Sequence, residues 1–406
     1  MDSISCDEML ELASLGASVL HPRAVEIARN YGVNLVVRSS WSDAAGTRLT
    51  SRTARPIGHG GLELGSPVDG VEQVDGQAIL ALSQIPDQPG IAARLFETLS
   101  DAGINVDLII QATHEGTSND ITFTVNEPDL NQAREVTQSV LNSLGGELSS
   151  EGGLTKLSIR GAGIMGRPGI AASLFNCLCQ QGINLRLIAT SEVKVSCVIA
   201  SSSGRKALQA VREAFEVADS QVAINPPLSG ENEPEVRGVA LDRDQVQLSV
   251  RHVRDRPGTA AALCSSLADN SISIDAIVQS ERQHADGSRD ISFILRKEDR
   301  ARADVALAPL LAQWPGAALE DGDAIARVSA VGAGMPATAG TAGRMFRALA
   351  DAQINIGLIA TSEIRTSCVV AEDNGVKALQ VVHACFGLGG DKRHQAQGTA
   401  SPLEKT

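Results

Sequence analysis

Aromatic residues are scarce in this 406-residue chain, with Phe, Tyr and Trp together making 2% of it. That leaves few flat surfaces on which bases or sugars could stack. Cysteine is sparse and unpaired: seven residues, an odd number, with no Cys-x-x-Cys pair to suggest a zinc or dithiol site. Cys177 and Cys179 are two apart on a helix-like segment, so their side chains do not face one site, and Cys197 and Cys368 lie in apolar strand-like runs. All read as small buried hydrophobes. Positive charge is also short. The 35 Lys and Arg against 48 Asp and Glu give a formal charge of −13, which repels nucleic-acid phosphates. No apolar run reaches the length of a membrane span, and MDSISCDEML has no basic region followed by an apolar core. The expected location is the cytoplasm, with neither nucleic acid nor membrane as partner.

What is present is ordinary globular material, 43% hydrophobic and 20% charged, and long enough for roughly two to four domains. Residues 161–166 read GAGIMG, a literal G-x-G-x-x-G (Gly161, Gly163, Gly166) between an apolar run and an amphipathic segment. In a dinucleotide enzyme such glycines let the backbone approach a pyrophosphate at a helix N-terminus.

The chain repeats itself, and the repeat tests that motif. INLRLIATSEVKVSCVIA (183–200) aligns without a gap on INIGLIATSEIRTSCVVA (354–371) at an offset of 171. DQPGIAARLFETLSDAGINVDLIIQ (87–111) matches DRPGTAAALCSSLADNSISIDAIVQ (255–279) at an offset of 168, and NDITF (119–123) then matches RDISF (289–293). The order is A-B-A′-B′, a two-module unit duplicated once. In B′ the fingerprint position reads GAGMPATAG, with Ala337 where the third glycine would stand. Gly161/Gly332, Gly163/Gly334 and Gly169/Gly340 are kept in both copies, and A and A′ keep only the last, as Gly90 and Gly258. The spacing is not that of a dinucleotide fold. What remains is a Gly-ended loop that opens a helix in every module, where free N–H groups suit a carboxylate.

Each module follows one grammar: an apolar strand, the glycine loop, an amphipathic helix such as IAARLFETLSDAG, two strands in quick succession, and a second helix such as LNQAREVTQSVLNSL (130–144). With a last strand this is the βαββαβ ferredoxin-like sandwich, an α+β fold whose uncovered sheet face or edges can pair with another module. Two segments rich in Gly, Pro, Ser and charge, 51–76 and 225–238, read as linkers. The boundaries expected are 1–50 for an N-terminal αβ segment, 77–150 and 154–224 for A and B, 239–321 and 324–390 for A′ and B′, and 391–406 for a disordered tail.

A second constellation points to a small polar ligand. Asp107 with Gln111, and Asp275 with Gln279, are four apart in a strand and so share a face. Thr190-Ser191-Glu192 and Thr361-Ser362-Glu363 recur at strand ends. A carboxylate and an amide beside a helix N-terminus suit the ammonium and carboxylate of a free amino acid.

The motifs D-x-P-G, I-N-V-D-L-I-I-Q, S-N-D-I-T-F-T, G-A-G-I-M and I-A-T-S-E-V together resemble the ACT modules in the C-terminal regulatory part of aspartate kinase, over most of 71–388. Residues 7–40 resemble the last segment of that family's amino-acid-kinase domain. The resemblance implies four ACT modules in tandem pairs that receive lysine and/or threonine as feedback inhibitors. It places one effector site between A and B, with Asp87, Gly90, Ile91, Ala92, Asp107 and Gln111 facing Asn184, Leu185, Thr190, Ser191 and Glu192. The other site sets Asp255, Gly258, Thr259, Ala260, Asp275 and Gln279 against Asn355, Ile356, Thr361, Ser362 and Glu363. Arg186 and Gly357 stand where some lysine-sensing members carry Asp, which shifts the expected ligand seats toward Asp107 and Asp275. Ser18 occupies the family's ATP-associated Lys position, and no K-F-G-G-type phosphate loop is found in the sequence. The family reaction phosphorylates aspartate with ATP and Mg. This chain is expected to hold no cofactor or metal, to be catalytically silent alone, and to form homo-oligomers through module pairing. The alternatives are a chain that contributes to kinase activity with a separate kinase-domain chain, or a free-standing amino-acid sensor.

Overall fold

The computed structural model describes residues 1–17, 19–51, 67–113, 118–162, 164, 167–217, 235–279, 287–335 and 338–389, without the side chains of 112, 113, 321 and 323. Ser18, Gly163, Gly166, Ala337, much of both expected linkers and the expected tail lie outside the described residues.

The N-terminal segment is an αβ unit of β1 (Ser3–Ser5), α1 (Cys6–Ser14), α2 (Pro22–Asn30), β2 (Leu35–Val37) and β3 (Thr47–Thr50). A capping box starts α1: Ser5 Oγ accepts from Glu8 N, and the Glu8 carboxylate accepts from Ser5 N. Pro22 opens α2, where a missing N–H costs nothing.

Module A comprises β4 (Gly70–Pro86), α3 (Ile91–Asp101), β5 (Val106–Thr113), β6 (Ser118–Asn126) and α4 (Leu130–Leu144). Module B comprises β7 (Glu147–Arg160), α5 (Ile170–Gln180), β8 (Leu187–Thr190), β9 (Lys194–Ala200) and α6 (Gly204–Ala214). In the second pair, A′ runs β10 (Gly238–Arg254), α7 (Thr259–Asp269), β11 (Ala276–Gln279), β12 (Ser288–Arg296) and α8 (Arg300–Leu311). B′ runs β13 (Ala318–Val331), α9 (Thr341–Asp351), β14 (Leu358–Ser362), β15 (Arg365–Ala371) and α10 (Gly375–Cys385).

The last strand of each sandwich is lent by its neighbour. β4 slips register at Gly76 (φ +68°), and its two halves serve different modules. Residues 70–75 pair with 155–160 of β7 in module B, while 77–86 pair with β6 and with 147–151 of β7 in module A. The segment 70–75, read from sequence as linker, is therefore strand. β10 and β13 repeat the arrangement.

All twelve strands of the four modules form one sheet, in the order β11-β12-β10-β13-β15-β14-β5-β6-β4-β7-β9-β8. The two halves join where β14 pairs antiparallel with β5, Ile359 opposite Gln111. There Thr361 Oγ1 accepts from Ile109 N at 2.7 Å. At the other end Thr190 Oγ1 accepts from Ile277 N at 3.3 Å, so the outer strands β8 and β11 also meet and the sheet closes into a ring. Ile79, Leu108, Ile110, Leu187, Val278 and Leu358 belong to a buried cluster on the inner face.

The helices cover the outer face and pair across the duplication. α3 packs on α9, and α5 on α7. A Cβ on Gly90, at the start of α3, would lie 3.7 Å from Ala350 at the end of α9. One on Gly340, at the start of α9, would lie 2.8 Å from Ser100 Oγ, so the pair is antiparallel. One apolar core unites A with B′ and another unites B with A′. Phe96 of α3 meets Phe346 of α9 edge to face at 5.6 Å, adding about 0.5–1.5 kcal/mol to burial. Each large side chain so buried contributes about 1.5–3 kcal/mol. The core is thus owned by neither repeat.

A fragment holding one repeat, residues 67–217, would expose the outer faces of α3 and α5. It is expected to self-associate into a dimer in sedimentation velocity; a well-folded monomer at micromolar concentration would contradict the shared-core account.

Candidate functional site

Two clefts lie at these crossed junctions. A register shift late in β4 puts Gln84 at φ +58°, and Asp120 Oδ1 accepts from Gln84 N at 3.2 Å. The same bulge at His252 (φ +55°) is held by Asp290 Oδ1 at 3.0 Å. These bulges aim the D-x-P-G turns across the sheet edge. Gly90 and Gly258 then open α3 and α7 in the left-handed region, φ +97° and +100°, and no side chain caps either helix. The first N–H groups of both helices face the clefts.

The A–B′ cleft, about 320 Å³ and open to solvent, is lined by Gln88, Gly90, Ile91, Ala92, Gln111 and Asn119 with Phe346, Asn355 and Ile356. Asp87 Oδ1 accepts from Asn119 Nδ2 at 2.6 Å and from Asn355 Nδ2 at 2.7 Å. The buried Gln111 donates to Ile356 O at 2.6 Å. The B–A′ cleft, about 370 Å³, is lined by Asp255, Arg256, Gly258, Thr259, Ala260, Gln279 and Arg289 with Phe175, Asn184 and Leu185. There Asn184 Nδ2 donates to Asp255 Oδ1 at 3.0 Å, and Arg289 Nε lies 3.0 Å from Asp255 Oδ2.

The pairing read from sequence is therefore crossed. Asp87, Gly90, Ile91, Ala92 and Gln111 face Asn355 and Ile356 rather than Asn184 and Leu185, and Asp255, Gly258, Thr259, Ala260 and Gln279 face the latter two. An offset that relates two copies does not say which copies touch.

The remaining expected site residues lie away from the cleft linings, at the ring joints. Thr190 and Thr361 bridge the strand ends as described, with Ser191 and Ser362 beside them. Asp107 is ion-paired with Lys156, while Glu363 takes Lys194 and, at 3.6 Å, Lys156. Asp275 accepts from Gln245 Nε2 at 2.7 Å and lies 3.5 Å from Arg327. Arg365 sits between Glu11 of α1 at 3.0 Å and Glu192 at 3.3 Å, all three no more than 1% exposed. Asp107 and Asp275 are thus committed to cations or amides of the ring.

The two joints differ in charge. Glu192 is pushed up to about 8 by burial and by the neighbouring Glu11, and burial raises Glu11 as well. At Glu363 burial acts the same way, but Lys194 and Lys156 outweigh it and hold the carboxyl below its usual range. Glu11 Oε1 and Glu192 Oε2 are buried without a partner among the described residues.

The first glycine of GAGIMG and its repeat have a close-packing role. A Cβ on Gly161 would lie 2.1 Å from Pro67 O, and one on Gly332 2.0 Å from Glu235 O. Gly161 and Gly332 thus admit the chain entering β4 and β10, not a pyrophosphate.

Sequence reading missed Asn119/Arg289, Asp120/Asp290, Phe175/Phe346 and the Arg365–Glu11 contact. The first two pairs were visible as N-D-I-T-F against R-D-I-S-F, whose first position differs while the second is kept. Nothing local announced the contact of α1 with a residue 354 positions on.

Crossed ferredoxin-like modules with helix-opening clefts at their junctions define a tandem ACT assembly. Two ACT domain families match it, one at residues 81–142 and 246–312 and the other at 157–215 and 328–386. A solved structure, the aspartate kinase of Synechocystis, is 49% identical, covers 97% of this chain and 68% of its own, and superposes with a TM-score of 0.87. Curated relatives include the aspartokinases of Thermus thermophilus, 42% identical over 216 residues, and of Bacillus sp., 39% over 221. The chain belongs to the aspartate kinase family. These two matches cover 53% and 54% of this chain, and the chain spans about half the length of the curated relatives it matches.

A stability test follows from the Arg365 joint. With Glu192 neutral in the fold up to about pH 8 and ionised near 4.5 when unfolded, the native state holds the extra proton between those values. Its contribution to stability is present at pH 5 and falls as pH rises toward 8, by up to about 1.4 kcal/mol per pH unit. Urea midpoints at pH 5 and 7.5 should show the fall, and Glu192→Gln should flatten it. In the same assay Arg365→Met should cost about 3–5 kcal/mol by leaving buried carboxylates unpaired.

Proposed function

We propose that this chain is the regulatory assembly of an aspartate kinase, binding lysine and/or threonine in the two crossed clefts and not catalysing phosphoryl transfer by itself. The observation that carries the reading is the cleft chemistry. Each cleft sets an uncapped helix N-terminus, fit for an α-carboxylate, beside an Asp and a buried Gln, fit for an ammonium group. The domain boundaries stated above for the four modules go with it, amended by the shared strands. In the complete family enzyme ATP and Mg would act in a kinase domain of which residues 1–50 are the last part.

An effector inhibits only if it binds one arrangement of modules better than another. The junctions are where arrangements differ, since each cleft is built from both repeats. The route toward a kinase domain starts at α1, whose contacts with module B′ include two polar grips. Arg365 of B′ grips Glu11, and Glu8 accepts from Ala333 N at 2.8 Å. Occupation of the clefts would bias this grip, and self-association through ACT modules or a separate kinase chain would complete the enzyme.

Titration calorimetry with lysine and threonine, alone and together, tests the reading on the folded chain. Heat from at least one is expected, and silence from both would remove the sensor assignment. Gln111→Ala should weaken binding in the A–B′ cleft by roughly tenfold, the loss of about one buried hydrogen bond to a charged group. It should leave the B–A′ isotherm unchanged.

A further inference from the structure

The ring has two corners, one along β4 and β7 and one along β10 and β13, where each strand leaves one module and enters the next. They divide it into two halves, module A with B′ and module B with A′, each with its own core. At the offsets of 168 and 171 the corners correspond residue by residue, yet they are held differently.

At the β4–β7 corner the bends fall at Gly76 and Gly153, both at φ +68°. A Cβ on either would meet nothing within 4 Å, so neither glycine is there to make room. What they supply is backbone freedom. The ladder steps from Gln77 opposite Leu154 to Ile79 opposite Glu151, passing over Ala78, Gly152 and Gly153. Asp75 accepts from Thr155 Oγ1 at 2.7 Å and from Gln73 Nε2 at 2.9 Å, and Glu127 accepts from Gly153 N at 2.9 Å. The last two bonds are exposed, so water competes for their partners.

At the β10–β13 corner Asp244 and Ala324 stand in place of the two glycines. Val246 pairs with Ala324, a rung that the first corner skips. Asp242 occupies the position of the exposed Val74. Its carboxylate accepts from Asp244 N at 3.0 Å, from Gln245 Nε2 at 2.8 Å and from Arg327 Nη2 at 3.1 Å. Gln245 and Arg327 are both buried, and Arg327 goes on to Asp275 at 3.5 Å. One carboxylate therefore ties the two strands of this corner together.

Helix α1 straddles the halves. Leu10, Leu12 and Leu15 are buried in one cluster with Ala162 and Val193 of module B and with Val331 of B′. Glu8 adds the bond from Ala333 N of B′. A change of angle between the halves must therefore disturb the seat of α1.

We infer that the ring flexes at the β4–β7 corner while the β10–β13 corner acts as its fixed spine, and that α1, seated on both halves, registers the flexing. The device belongs to the scaffold and needs no ligand in either cleft.

Hydrogen–deuterium exchange of the full chain, read by mass spectrometry, tests it. Peptides covering 71–78 and 151–156 should exchange at least roughly fivefold faster than those covering 239–246 and 322–327. A smaller ratio, or the reverse order, overturns the inference, and this comparison requires no variant. Asp242→Val installs the side chain that its twin Val74 already carries, and urea unfolding checks that the variant is folded. Exchange at 239–246 and 322–327 should then rise to the level of the first corner, with 71–78 unchanged. In the same variant α1, residues 6–14, should exchange at least roughly threefold faster. Unmoved corner amides would remove Asp242 as the pin of the spine, and an unmoved α1 would remove its part as reader.

Discussion

The antiparallel contacts of α3 with α9 and of α5 with α7 constrain everything else in the molecule. A ferredoxin-like module has one helical layer, and its outer helix face is apolar enough to need a partner. Ile91, Leu95, Phe96 and Leu99 on α3 meet Met345, Phe346 and Leu349 on α9 in one buried cluster. Because the partner comes from the other repeat, the two-module units interlock and their sheets must run on into one another. The ring, the joints at Thr190 and Thr361, and the two clefts all follow from that choice of partner. The glycine kept by every module reflects the same constraint. It takes the left-handed conformation at the helix start, and at Gly258 and Gly340 a side chain would meet the end of the opposing helix, Cys179 Sγ at 2.9 Å and Ser100 Oγ at 2.8 Å.

Most of the architecture within a module was legible because it is written in short-range pattern. The 3.6-residue spacing of Ile91, Leu95, Phe96 and Leu99 named α3, and LNQAREVTQSVLNSL named α4 to the residue. The duplication was legible because it is identity at a fixed offset. Partner choice was not, since the offset of 171 is equally compatible with A on B or A on B′. Nor were the roles of the strand carboxylates. Asp107 and Gln111 share a strand face in sequence, but the register shift between Val106 and Ile109 and the proximity of Lys156 send Asp107 to the joint while Gln111 stays in the cleft. Long-range electrostatics decides such cases, and its partners are far away in the chain: Lys156 is 49 positions from Asp107, and Glu11 is 354 from Arg365.

Duplication also explains how two joints with the same ancestry come to differ. Lys156 and Lys194 in the first copy stand where Arg327 and Arg365 stand in the second. A lysine is a compact point charge, and Lys194 serves Glu72 and Glu363. An arginine presents a fork of donors, and Arg365 uses it to reach Glu11, Glu192 and the Thr190 carbonyl together. Only this joint among the two touches α1. Burying Arg365 with two carboxyl groups is costly in itself, and such a cluster gains little over an apolar replacement in stability. What it supplies is specificity of position: α1 is held in the one place where Glu11 can meet Arg365.

The strand that ends in Thr190 begins three residues after Asn184, and β11 begins just past Asp275 of the joint and ends at Gln279 in the same cleft. The B–A′ cleft and the Arg365 joint are therefore two ends of the same short strands, β8 and β11. A shift of either strand that improves the fit of a ligand at Asn184 and Gln279 moves Thr190, Glu192 or Asp275 against Arg365 and Arg327. The A–B′ cleft reaches its own joint through β5 and β14, but that joint holds Lys156, Lys194, Asp107 and Glu363 without α1. On the proposed reading, the two clefts are unequal in their leverage on the N-terminal segment. The B–A′ cleft acts on it through one strand length, and the A–B′ cleft acts through the ring.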